Sequence, residues 1–250
     1  MATRDVATEV GRSERAVRLK AAKLGLRKIG RPGYRPNPEA RRYPVPDSLF
    51  RPLDAVSAYV IGLITSDGCL KNGDRFDISN TDRALLTRAC AALGLRQRPS
   101  PPDSNGGSRV TVCSRAVYTN LTALGLTERK SLTCRMPAVS PALVGHFLRG
   151  FFDGDGAVRF GRRGGLVVKF TSGSRNLLVD VAAAIEGATG LAARSPSCDK
   201  NRAAAWRIYY YGPKALRLAQ LMYRDCGDLF MRRKRKVFAA YEGRGAAKPS

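Results

Sequence analysis

From residue 53 onward, the apolar positions gather into blocks that occur twice in the same order. SAYVIGLITSDGCL (57–70) is answered by VGHFLRGFFDGDGAV (144–158), and FDISNTDRALL (76–86) by VKFTSGSRNLL (168–178). RVTVCSRAVYTNLTALGL (109–126) is answered by WRIYYYGPKALRLAQLMY (206–223), after which TERK (127–130) meets MRRK (231–234). Such a repeat predicts two copies of one supersecondary unit sharing a core. In each copy the continuous apolar block reads as a helix, about Leu53–Ser66 and Pro141–Gly154, stopped at an Asp-Gly pair. RFDIS (75–79), SRVTVC (108–113), LVVKFTS (166–172) and AWRIYYYG (205–212) are dominated by β-branched and aromatic residues and read as strands. Each copy is thus a helix, two strands, a helix, and a further strand and helix, an α/β (α+β) arrangement.

The first fifth of the chain follows another pattern. Val6, Ala7 and Val10 precede Gly11, while Ala16, Val17, Leu19, Ala21 and Leu24 follow Ser13. This suits a short helix, a turn and a second amphipathic helix, capped by Ser13 and ended by Gly25. From Lys28 to Pro52, Pro32, Pro36, Pro38, Pro44 and Pro46 interrupt a stretch without periodicity, predicting an extended basic linker. The expected boundaries are a helical module over 1–28, a linker over 29–52, a first half over 53–136 and a second over 137–250.

Charge adds a partner to this outline. The 44 Lys and Arg exceed the 20 Asp and Glu by +24, so a polyanion is the expected ligand. In the linker, Arg31, Arg35, Arg41 and Arg42 are placed to follow phosphates. The six cysteines never form a CxxC pair and His146 is the only histidine, which argues against a zinc finger. The N-terminus has no apolar signal core, and no run reaches the roughly 18 uncharged residues of a membrane span. A cytoplasmic, nucleoid-associated protein of a bacterium, phage-infected cell or archaeon, with reduced thiols, is expected.

Against this positive background, Asp67 and Asp155 close the two most apolar helices. Carboxylates at helix C-termini face an unfavourable dipole, which a bound cation would relieve. If the two helices pack side by side about a pseudo-twofold axis, Gly62 and Gly150 permit close backbone approach and both acids arrive at one end. Paired carboxylates on the floor of a basic channel suit Mg2+, which activates water and neutralises phosphoryl charge.

The two copies read VIGLITSDG (60–68) and LRGFFDGDG (148–156), and they resemble the LAGLIDADG homing endonucleases in their single-chain, two-motif form. The resemblance spans about residues 53–243. It implies two pseudo-symmetric halves, a saddle-shaped antiparallel sheet laid in the major groove, and motif helices forming the interface between halves. It further implies divalent metal on Asp67 and Asp155, Mg2+ with Mn2+ able to substitute. Thr65 stands where the namesake has an acid and Asp153 retains it, but that position is not the metal-binding one. Lys130 and Lys234 look like the family's basic residues near each active centre, there to polarise the water network or stabilise the leaving oxygen. The implied reaction is double-strand cleavage across the minor groove, leaving four-base 3′ overhangs in a long asymmetric double-stranded DNA target.

Base readout belongs on the alternating positions of the strands, with Arg75, Asp77, Ser79, Arg109, Thr111, Lys169, Thr171, Arg207 and Tyr209 as candidates. Trp206 and the tyrosines Tyr209, Tyr210 and Tyr211 are read as strand packing ahead of base stacking, and His146 as a packing residue. The segment 5–26 resembles helix-turn-helix modules, with Arg12, Glu14, Arg15, Arg18 and Lys20 facing DNA. The expected function is therefore a monomeric, site-specific DNA endonuclease. The alternatives are an RNA maturase of the same fold acting on intron RNA, and a sequence-specific DNA-binding regulator that does not cut.

Overall fold

The computed structural model describes residues 3–23, 43–128, 131–198 and 205–246. The chain divides into two compact units, Met1–Arg42 and Tyr43–Ser250. In the smaller unit, α1 (Thr3–Glu9) and α2 (Glu14–Lys23) flank a turn in which Gly11 takes φ +60°. Ser13 Oγ accepts from Ala16 N at 3.3 Å and caps α2. Arg12, Arg15 and Lys20 are exposed, and Arg18 lies on α2. Gly25 and the linker arginines Arg31, Arg35, Arg41 and Arg42 lie outside the described residues.

The larger unit repeats one motif. Its first half runs α3 (Ala55–Asp67), β1 (Gly68–Lys71), β2 (Arg75–Asn80), α4 (Arg83–Ala92), β3 (Ser108–Cys113) and α5 (Arg115–Ala123). The second begins with a 3-10 turn at Pro141–Leu143, then α6 (Val144–Asp155), β4 (Gly156–Phe160), β5 (Leu166–Ser172) and α7 (Arg175–Thr189). It continues with the two-residue β6 (Ser197–Cys198), β7 (Trp206–Tyr211), α8 (Gly212–Tyr223) and α9 (Arg232–Ala246). Equivalent positions start equivalent helices. Asp82 caps α4 by accepting from Leu85 N at 2.9 Å, and Ser174 caps α7 by accepting from Leu177 N at 3.3 Å.

The strands form two antiparallel sheets, in the order β1-β2-β3 and β4-β5-β7-β6. The fold is thus α+β, with helices packed on sheets. One face of each sheet carries Phe76, Ile78, Val110 and Val112, or Val168, Phe170, Ile208 and Tyr210, into a continuous core. Ile78 pairs with Val110 as Phe170 pairs with Ile208, so Val110 is the counterpart of Ile208. The sequence match of 109 with 206 is therefore one residue out of register. The loops before β3 and β7 differ in length, and only the in/out alternation fixes the true pairing. The corrected register makes Arg109 the counterpart of Arg207.

The linker expected to run to Pro52 ends sooner than its prolines suggest. Val45 and Phe50 are buried, with Phe50 edge-on to Phe76 at 5.9 Å between ring centroids. Asn120 Nδ2 donates to the carbonyls of Asp47 and Leu49 at 2.9 and 3.0 Å. Two apolar side chains and satisfied carbonyls attach this stretch to the fold, because burying them outweighs ordering a short, proline-stiffened segment.

Candidate functional site

The site is built where α3 crosses α6. Neither helix can carry a side chain at the crossing. A methyl group on Gly150 would overlap the carbonyl oxygen of Tyr59, and one on Gly62 would overlap that of Phe147 while lying 2.6 Å from Phe151 N. The surrounding Tyr59, Leu63, Phe147 and Phe151 are fully buried. The expected glycine pair thus sits at the closest approach of the two backbones.

Because the helices cross at equivalent residues, they also end together. A Cβ on Gly154 would lie 3.0 Å from Asp67 Oδ2, so the Asp67 carboxylate abuts the residue preceding Asp155. Asp67 is half-buried and Asp155 exposed. Asn80 Nδ2, at the end of β2, donates to Asp67 Oδ2 at 2.6 Å. A cavity of about 340 Å3 opens beside the pair, lined by Thr65, Ser66, Gly68, Asp155, Ser172 and Gly173 among others. These hard oxygen donors suit Mg2+, which takes one or two carboxylates and completes its shell with water and substrate phosphates. Among the described residues no group of three or more His, Cys, Asp or Glu side chains forms.

Lys234 departs from expectation. It is 3% exposed, and its ammonium donates to the carbonyls of Phe152, Asp153 and Gly156 at 2.5, 2.8 and 2.6 Å. An ammonium has three protons, and all three are taken. The residue cannot hand a proton to a leaving oxygen or directly order a water network while this seat is occupied. It instead caps the C-terminus of α6 and places a positive charge within reach of Asp153, Asp67 and Asp155. Burial pushes its pKa down to about 8, with the neighbouring acids opposing the shift. Lys130 lies outside the described residues.

Asp153, the first acid of its motif, is fully buried and structural. Its Oδ2 accepts from Tyr59 Oη and Met231 N, both at 2.8 Å, while Oδ1 has no hydrogen-bond partner among the described residues. Burial raises its pKa to about 6 despite these hydrogen bonds. Arg149 stacks over the Tyr59 ring at 4.9 Å and donates to the carbonyls of Met222 and Leu229 at 2.6 and 2.9 Å. His146 lies 3.2 Å from Arg149, with its pKa lowered by burial and then by that arginine, which agrees with a packing role.

The nine strand candidates share the faces turned away from the core. Arg75, Asp77, Ser79, Arg109 and Thr111 alternate with the core residues of the first sheet, and Lys169, Thr171, Arg207 and Tyr209 with those of the second. Asp77 is nevertheless only 6% exposed, accepting from Lys71 Nζ at 2.7 Å and Thr111 Oγ1 at 2.8 Å. Burial works to raise its pKa, but the Lys71 and Thr111 hydrogen bonds hold it below the usual range. Asp77 orients its neighbours rather than presenting a free carboxylate. The tyrosines expected to pack divide by face. Tyr210 is in the core, whereas Tyr209 and Tyr211 stack at 6.0 Å on the outer face, Tyr211 being 54% exposed.

Sequence reasoning missed Asn80, Tyr59, Arg149 and Lys71. Of these, only Asn80 had a visible signal, as the polar residue closing the block that repeats with Ser172.

Residues 142–217 match the LAGLIDADG-like domain family. The chain shares its fold with I-DmoI in complex with DNA and Ca, at TM-score 0.51 and 16% identity over 76% of this chain and 97% of that one. Meganuclease I-AabMI bound to uncleaved DNA aligns at TM-score 0.50 and 11% identity, covering 78% and 92%. Full-length DUF199/WhiA from Thermatoga maritima aligns at TM-score 0.51 and 13% identity over 78% of this chain, which spans 62% of that protein. Comparison with curated protein sequences finds no match. No helix among the described residues is long and apolar enough to cross a membrane.

Proposed function

We propose that this protein is a monomeric, site-specific double-stranded DNA endonuclease whose two centres are formed around Asp67 and Asp155. The observation that carries the reading is the glycine-to-glycine crossing of α3 and α6, which delivers two acids from two halves to one end of one interface. Two similar carboxylate sites related by pseudo-symmetry match a substrate with two antiparallel strands. The fold likeness to DNA-bound I-DmoI and I-AabMI supports the same partner.

Asp67 and Asp155 would hold divalent metal, Mg2+ with Mn2+ able to substitute. When bound, the cation activates water and neutralises charge on the phosphoryl group. Asn80 keeps Asp67 oriented. The polar faces of the two sheets supply base contacts through Arg75, Ser79, Arg109, Thr111, Lys169, Thr171, Arg207 and Tyr209, as the major groove requires. The halves have diverged, so the target is long and asymmetric. Arg12, Arg15, Arg18 and Lys20 of the N-terminal module, with the linker arginines, would extend the footprint and raise affinity through effective concentration.

The test is Mg2+-dependent cleavage of a randomised DNA library with sequencing of the ends, using the Asp67→Asn/Asp155→Asn double variant as control. Recurrent flanks with four-base 3′ overhangs, made only by the native protein, are expected. Specific capture of DNA or RNA without cutting would replace this reading with a regulator or a maturase.

A further inference from the structure

We infer that the outer end of the second sheet reads thymine, with Tyr211, Tyr209 and Val167 forming an apolar seat for C5-methyl groups in the major groove, while the matching positions of the first sheet read polar base edges. This deepens the DNA-binding reading above and rests on it, by naming the base chemistry that one arm of the target presents.

Strand register builds the patch. Arg159, Val167 and Tyr211 stand opposite one another in one row across β4, β5 and β7, and Ala157, Lys169 and Tyr209 form the next row. These residues alternate with Val158, Val168, Phe170, Ile208 and Tyr210, which pack into the core, so they share the outward face. The Tyr209 and Tyr211 rings lie 6.0 Å apart and nearly parallel, at 13°. Tyr211 is 54% exposed, and Val167 backs it from the neighbouring strand. A stacked pair with its outer ring in water leaves apolar surface that a ligand can cover.

The first sheet keeps the frame and changes the chemistry. Because Ile78 matches Phe170 and Val110 matches Ile208, Val167 corresponds to Arg75, Tyr209 to Thr111 and Tyr211 to Cys113. Arg75 pairs with Asp74 at 3.1 Å, and Asp77 joins Thr111 to Lys71. That surface is charged and polar where the second is aromatic.

The surroundings of the patch set its occupant. Among the described strand residues of the second sheet, the outward face holds Arg159, Lys169 and Arg207 and no acidic side chain. An apolar patch inside a cationic border fits a duplex, whose phosphates answer the cations, and disfavours a second copy of a chain carrying +24. The apolar group that a base pair shows in the major groove is the thymine methyl. Val167 lies about 17 Å along β5 from Ser172, which lines the cavity beside Asp155, so the thymines belong to the outer part of the arm.

The test selects duplexes from a randomised library with the full-length protein and no added metal, so that binding alone is scored. The recovered sequence is expected to hold thymine in the outer part of one arm. Replacing that thymine with deoxyuridine, which lacks only the methyl, should weaken binding about fourfold. Tyr211→Ser places a favourable residue at the N-cap position of α8. It should relax selection in that arm alone and bind the thymine and deoxyuridine duplexes equally. A recovered sequence without thymine in either arm, or native binding indifferent to deoxyuridine, would overturn the inference and leave DNA recognition standing. A native protein that sediments as a dimer, with Tyr211→Ser a monomer, would give the patch to a second copy and overturn it also. Recovery of no preferred duplex would overturn site-specific DNA recognition and the inference together. A recovered duplex that the native protein does not cut in Mg2+ would overturn the nuclease reading, and the deoxyuridine comparison would still decide the role of Tyr211.

Discussion

Replacing Gly62 with alanine tests the helix crossing on which the site depends. The added methyl would lie 2.6 Å from Phe151 N and 3.0 Å from the Gly150 carbonyl carbon, and would overlap the Phe147 carbonyl oxygen. Carbon approaches a backbone oxygen to about 3.3 Å, so α3 and α6 must part by roughly 1 Å. All three obstacles are backbone, and no rotamer change relieves them. A gap of that size also forfeits about a quarter to a half of the dispersion energy between the facing side chains, here the fully buried Tyr59, Leu63, Phe147 and Phe151. Overpacking that side chains can absorb costs about 1–3 kcal/mol, so about 3 kcal/mol is expected where they cannot. Urea unfolding followed by near-ultraviolet circular dichroism should show a midpoint lowered by about 1.5 M, taking a slope of about 2 kcal/mol/M. Gly187→Ala is the internal control. Gly187 lies on the exposed face of α7 with nothing within 4 Å of a new Cβ, so the change should stabilise by up to about 1 kcal/mol. A Gly62→Ala midpoint within about 0.3 M of the native value would refute the claim that this crossing is closed to side chains.

Asp153 makes stability pH-dependent. Its folded pKa of about 6 lies above the unfolded 3.8, so its contribution is fully present below the unfolded value and is lost as pH rises through about 6. Relative to Asp153→Asn, the native protein should lose up to about 3 kcal/mol between pH 3.8 and pH 6.5, measured by urea unfolding across that range; a constant difference would contradict the assignment. Lys234→Met keeps an unbranched apolar side chain but removes the ammonium that lies over the Phe152 ring and strips three carbonyls of their donor. It should cost about 3 kcal/mol of stability and lower the cleavage rate more than DNA affinity, and an unchanged unfolding midpoint would show that the cap is dispensable.

Much of this protein is legible in one dimension. The twofold repeat, the two Asp-Gly helix ends and the glycines five residues before each acid define two helices meant to cross and finish together, because helix period and glycine's missing side chain are local properties. The strands are equally readable from their β-branched and aromatic content. Reading fails where a residue's role depends on what another segment brings to it. Lys234 looks like one more cation in a run of five, until α9 carries it beneath α6 and three carbonyls absorb its protons. Tyr209, Tyr210 and Tyr211 are identical as letters, and strand register alone sends one inward and two outward. Phe50 sits in a proline-rich stretch that reads as a tether until Phe76 offers it a surface. The order and type of the elements follow from short-range backbone preference, which the chain writes out residue by residue. Burial, charge satisfaction and the choice of which polar face is free follow from contacts across 34 to 94 positions, such as Asp77 with Thr111 and Tyr59 with Asp153, which exist only once distant segments have packed.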